Sequence, residues 1–182
     1  MNRLMMKLTI GSEAVFFLAL IVAYLYFWRS GHIQQQVAEH LNVKLTAIFS
    51  LFLLSSSFTF WRAEKNYEQG NRGRMKLWLS ATIVLGLVFL LGQGHEYYNL
   101  ISEGVVVSQS EFASSFYTLT GFHGLHVLIG LLLISVMLVL MINGALDHKR
   151  SSVIRTVGIY WHFVDVVWIF VFTTIYLLPY IL

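Results

Sequence analysis

Apolar residues fall into five long runs, at about 8–28, 45–61, 77–94, 115–142 and 157–178, with short polar connections between them. At 1.5 Å per helical residue these runs measure about 25–42 Å, enough to cross the roughly 30 Å hydrocarbon core of a bilayer. Lipid admits backbone only where its N–H and C=O groups are satisfied internally, so runs of this length predict α-helices. The expected fold is all-α: a polytopic membrane protein built as a bundle of five transmembrane helices. No repeat, linker or low-complexity tract interrupts it, so residues 1–182 read as a single membrane domain. The first run follows MNRLMMK, a short basic start like that of a signal peptide. It is too long for a signal-peptide core and no A-x-A-like site follows it, so it is read as a retained helix.

Composition agrees with this reading. Hydrophobic residues make up 57% and charged residues 12%, against about 25% charged in soluble domains. There is no cysteine, which excludes disulfides and thiolate metal ligands. The net charge of +3 carries a topological signal. Arg3, Lys7, Arg62, Lys65, Arg72, Arg74, Lys76, Lys149, Arg150 and Arg155 belong to one set of connections, and only Arg29 and Lys44 to the other. Basic residues accumulate on the cytoplasmic side, so the N-terminus is expected inside and the C-terminus outside. This alternation accounts for the basic residues without a nucleic-acid partner.

Against that apolar background a few ionisable groups need an explanation. They are Glu13, the outer pair His95 and Glu96, His123 and His126 in HGLH, and His162 and Asp165 in WHFVD. An acid at the centre of a membrane helix costs roughly 2.5–3.5 kcal/mol on insertion scales, so such groups should face one another. Counting depth at 1.5 Å per residue puts Glu13 about 8 Å inside the cytoplasmic edge, level with His162, and Asp165 near His126. The expected pairs are therefore Glu13 with His162 and Asp165 with His126. Gly86, Gly92, Gly94, Gly121, Gly124 and Gly130 offer small faces for close helix approach. Ser55, Ser56 and Ser57 offer hydroxyls to neighbouring helices.

Three readings of the His and acid set remain open on spacing alone: helix glue, metal ligation or passage of protons. The candidate ligands spread over about two turns of depth, too far for one coordination sphere at about 2.0–2.2 Å, so no metal is expected on the chain itself. No nucleophile motif, phosphate loop or dinucleotide fingerprint is present, and no catalytic residue is assigned.

The segments GSEAVFF (11–17), GHEYYNL (94–100), FYTLTGFHGLHVLIG (116–130) and YWHFVDVVWIFVFTTIYLL (160–178) together resemble subunit III of haem–copper terminal oxidases. The resemblance covers nearly the whole chain, in the family's order and spacing, and matches its short five-helix bacterial type. It implies that Glu13 corresponds to the family's buried, carbodiimide-reactive glutamate, and that His123, His126, His162 and Asp165 occupy its helix motifs. It further implies an accessory subunit without haem or copper of its own, the cofactors being in partner subunits. Such a subunit packs against catalytic subunit I, with its glutamate helix and the next one as the docking side, and joins subunit II and other respiratory subunits. It supports proton uptake and stability while the complex reduces oxygen to water and pumps protons, and it holds phospholipid in a cleft. WHFVDVVW and Glu13 look more like the cytochrome c oxidases than the quinol oxidases. A quinol oxidase subunit is the alternative, and a stand-alone membrane metalloenzyme or transporter a more distant one. Two departures bear on the cleft. Longer relatives have two further N-terminal helices forming one of its walls, and their connection before the last helix is longer than DHKRSSVIR.

Overall fold

A computed structural model describes residues 3–29, 41–107, 111–144 and 151–181. Lys149 and Arg150, counted above among the cytoplasmic cations, lie outside the described residues, as does the side chain of Arg3. Five long helices account for most of the described chain: α1 (Arg3–Arg29), α2 (Val43–Glu68), α3 (Arg72–Ser102), α4 (Glu111–Ile142) and α5 (Ser151–Phe172). A π-helical turn, Thr173–Leu177, and a last helical turn, α6 (Leu178–Ile181), continue α5. Among the described residues, five helices are long and apolar enough to cross a membrane. No strand occurs among the described residues.

Most of these helices outrun the apolar stretches that predict them, and their ends show why. Beyond Trp61, α2 continues through Arg62, Ala63, Glu64 and Lys65, all good helix formers, until Gly70 adopts a φ of 73°. There the Gly70 N–H donates to the Tyr67 carbonyl at 3.0 Å and the Asn71 N–H to that of Asn66 at 2.9 Å. This paired closure of the last turn suits glycine, which takes a left-handed conformation without steric cost. Asn71 then caps α3 with its side-chain oxygen, which accepts from the Arg74 N–H at 3.2 Å. The same closure recurs where α3 ends, at Gly104, with bonds of 3.0 Å to Ile101 and 2.9 Å to Leu100.

The helices pack in the neighbour order α1, α4, α3, α2, α5 and back to α1, with α4 and α5 also touching. Rings fill the space between them: Trp161, Trp168, Tyr24, Tyr176, Phe60, Phe89, Phe112 and Phe116 are fully buried. Glycines make room for these rings. A Cβ on Gly130 of α4 would lie 2.7 Å from the Trp161 ring, one on Gly158 of α5 2.8 Å from Phe60, and one on Gly86 of α3 2.7 Å from Leu131. Gly92 faces the Phe49 ring and Gly124 the Gln93 amide just as closely. Two glycines of the expected small faces serve no close approach: Gly94 has open space and Gly121 only an ordinary contact with the Tyr97 hydroxyl. In lipid no hydrophobic effect draws helices together, so such contacts supply much of the association.

A substitution pair tests this. Gly130→Ala must displace a buried tryptophan and is expected to destabilise the protein by about 1–3 kcal/mol, the usual cost of overpacking. Gly94→Ala meets nothing and is expected to stay within about 0.5 kcal/mol of the parent. Thermal unfolding of both variants in detergent reads the difference; equal transitions would refute the account of the α4–α5 contact.

Candidate functional site

The polar groups gather in three places. The first lies between α1 and α4. Glu13 Oε2 is 3.1 Å from His126 Nε2, with the glutamate side chain 32% exposed and the histidine 12%. Across its ring, His126 Nδ1 donates to the Phe122 carbonyl at 2.7 Å. That bond settles the proton count, because a carbonyl only accepts and Nδ1 must carry hydrogen. Nε2 then shares one proton with Glu13: either the imidazole is charged and donates to a carboxylate, or a neutral carboxyl donates to Nε2. Phe17 closes over the imidazole, the ring centroids 5.0 Å apart.

The second place is the junction of α2 and α5. Three residues apart on one helical face, His162 and Asp165 both reach Ser57 of α2. The Ser57 hydroxyl lies 2.8 Å from His162 Nδ1 and donates to Asp165 Oδ2. With its single hydrogen given to the carboxyl, the hydroxyl accepts from Nδ1–H. Asp165 is only 3% exposed, and its Oδ1 has no partner among the described residues. Two tryptophans extend the junction in both directions. Trp161 Nε1 donates to Ser56 Oγ at 3.0 Å, and Trp168 Nε1 to Ser50 Oγ at 2.8 Å. Hydroxyls of α2 thus meet ring N–H groups and a carboxyl of α5 along a continuous seam.

The third place is the far end of α3. Glu96 accepts from Thr46 of α2 at 2.8 Å and from Tyr176 at 2.6 Å. Tyr176 sits in the π-helical turn, a one-residue widening of the helix of the kind that re-aims side chains at functional sites. Beside it, Gln93 Nε2 donates to the Thr120 carbonyl at 2.7 Å, and the Tyr97 and Thr120 hydroxyls are 2.7 Å apart.

Several expectations need correction. Glu13 pairs with His126 rather than His162, and Asp165 with Ser57 rather than His126. Depth alone misled the pairing, because the direction in which each helix turns its face also decides contacts: His162 and Asp165 point to α2, His126 to α1. His123, for which no pair was expected, meets no acid among the described residues. It is fully buried, stacked on Trp168 with ring centroids 4.7 Å apart, and neither ring nitrogen has a hydrogen-bond partner among the described residues. HGLH therefore sends its two imidazoles to different neighbours. His95 and Glu96 also diverge, with His95 exposed and 3.3 Å from the Asn99 amide while Glu96 is buried. Of the three serines, Ser56 and Ser57 join the seam and Ser55 is exposed. Thr46 and Ser50 were missed, although their spacing of four, continued by Leu53 and Ser57, marks one helical face. Among the described residues no three His, Cys, Asp or Glu side chains come together in a way that could hold a metal.

An apolar groove of about 330 Å³ runs between α1 and α5, lined by Ala14, Phe17, Leu18, Ile21, Phe163, Val166, Val167 and Phe170. Its floor adjoins the Glu13–His126 pair through Phe17.

Compared with known families, residues 2–180 match the model described as cytochrome c oxidase subunit III. The chain belongs to the cytochrome c oxidase subunit III family. Among its relatives, cytochrome c oxidase subunit 3 of Corynebacterium diphtheriae is 39% identical over 149 residues, 82% of this chain and 70% of that protein. The Bacillus subtilis protein of the same name is 36% identical over 172 residues, 94% of this chain and 83% of that one. As a subunit III of a haem–copper cytochrome c oxidase, the chain is one component of a multi-subunit respiratory enzyme and a multi-pass membrane protein.

The Glu13–His126 contact of this subunit III can be measured directly. A double-mutant cycle of Glu13→Ala and His126→Ala on thermal stability is expected to give a coupling of about 0.5–2 kcal/mol. Glu13→Gln, whose amide N–H donates to Nε2, should keep most of it. Additive single effects would contradict the pairing.

Proposed function

We propose that the chain is the accessory, non-catalytic subunit III of a proton-pumping cytochrome c oxidase. It packs against catalytic subunit I, with subunit II and other respiratory subunits in the same complex, while oxygen is reduced to water. Haem and copper reside in those partners, and this chain carries neither. The N-terminus faces the cytoplasm and the C-terminus the outside of a bacterial cytoplasmic membrane.

One observation carries the mechanistic part of this reading: Glu13, which shares one proton with His126 of α4, has its side chain one-third exposed on the apolar helix α1. A carboxyl open to lipid is costly, so a flank of this kind suits coverage by another protein. Contact with subunit I accordingly falls on the Glu13 flank of α1. There the pair holds α1 to α4 and tunes proton supply at the edge of the catalytic subunit without lying on its proton path. His123, His162, Asp165, His95 and Glu96 have structural roles, each in its own contacts. Phospholipid acyl chain occupies the α1–α5 groove, whose lining is wholly apolar.

An affinity tag placed after Leu182 tests assembly and orientation together. Pulled from mildly solubilised membranes, the tagged chain should bring haem-containing subunits in stoichiometric amount, and on intact spheroplasts the tag should be open to added protease. Recovery of the chain without haem would refute the oxidase role, and a protected tag the orientation.

A further inference from the structure

On the outer face of the α2–α3 hairpin two cations are held by aromatic rings rather than by acids. The Arg62 guanidinium carbon lies 5.6 Å from the Trp78 ring centroid and 6.0 Å from that of Phe58. The Lys65 ammonium lies 4.5 Å from the Trp61 ring centroid. Ring faces attract a cation yet accept none of its N–H groups in the plane, so they fix its position and leave its donors free. Neither cation has a carboxylate partner among the described residues. The two nearby acids, Glu64 and Glu68, turn instead to Arg155, at 3.9 and 3.5 Å. Arg74 and Lys76, at the start of α3, add charge of the same sign.

Below these cations the same stripe of α2 becomes hydrocarbon. Leu51, Leu54, Phe58, Trp61 and Lys65 recur at spacings of three and four, with Arg62 beside Trp61, so they share one face. Leu51 is 63%, Phe58 56% and Trp61 40% exposed, and indole rings favour the membrane interface. From Leu51 to Lys65 the stripe rises about 21 Å, close to one acyl leaflet plus a headgroup. Charge at one end and an open apolar track at the other match an amphiphile with an anionic head. Free phosphate would use only the first half. This face is separate from the apolar α1–α5 groove.

We propose that the α2–α3 hairpin carries a binding site for an anionic phospholipid: Arg62 and Lys65 hold the phosphodiester, Trp61 and Trp78 steady the cations, and Phe58, Leu54 and Leu51 receive an acyl chain. Guanidinium is suited to this because its fork of N–H donors engages two phosphate oxygens at once.

The test uses the intact oxidase complex containing this chain, with phosphatidylglycerol and phosphatidylcholine titrated in parallel and adducts on this subunit counted by native mass spectrometry. Wild type is expected to prefer phosphatidylglycerol, and the double variant R62Q/K65Q to lose that preference by at least fivefold while its phosphatidylcholine binding is unchanged. R155Q, whose native partners are Glu64 and Glu68, should behave as wild type. A second measurement needs no variant: photoactivatable phosphatidylglycerol should label residues 51–65 of wild-type α2. Equal binding of the two lipids by wild type, unchanged preference in R62Q/K65Q, or labelling confined to other helices would each overturn the site.

Discussion

A carboxyl group in the middle of a membrane bundle must find a donor, and here the donor is a serine. Asp165 is buried on α5, and the Ser57 hydroxyl of α2 is its hydrogen-bond partner. Because that hydroxyl has one hydrogen and is committed to the carboxyl, it can also accept from His162. One small side chain thereby serves two polar groups that hydrocarbon would otherwise penalise. The rotation of α5 about its own axis follows from this, since a slip of one residue would turn both groups away from α2.

Once α5 is oriented, the rest of the interior has little freedom. Trp161 and Trp168, on the same helix, meet Ser56 and Ser50 and fill the centre of the bundle. Their size then requires the missing side chains of Gly130 and Gly86 on the facing helices. At the far end the π-helical turn delivers Tyr176 to Glu96, so the second buried acid is also satisfied by hydroxyls. Glu13 stands apart from this seam. Its partner is an imidazole, and its partial exposure leaves it at the flank of the bundle rather than the centre. The two kinds of acid differ in setting: Asp165 and Glu96 are buried against hydroxyls, and Glu13 is partly exposed against an imidazole.

Much of this was legible in the residues. Run length alone predicts the five helices, and the cost of intramembrane charge singles out the acids and histidines that the structure places in contacts. Partner choice was not legible, because sequence yields depth along a helix but not the direction a face points once neighbours are chosen. Glu13 and His162 can share a level and still look at different helices. Serine was undervalued for a related reason: in soluble proteins a hydroxyl on a helix is a weak signal, whereas in lipid it is one of the few donors present. Helix ends also exceeded the apolar runs, since Arg, Ala, Glu and Lys extend a helix as well as leucine does.

The central claim, that Ser57 positions α5 by satisfying Asp165, can be tested by asking whether the serine matters once the acid is gone. Stability of Ser57→Ala should be compared in the native background and with Asp165→Leu, by thermal unfolding of the purified protein. In the native background the loss of the hydroxyl leaves a buried carboxyl without a donor, and the expected cost is about 1–3 kcal/mol. With leucine at position 165 that cost should fall by at least about 1 kcal/mol, because only the His162 bond is then lost. The same cost in both backgrounds would contradict the account.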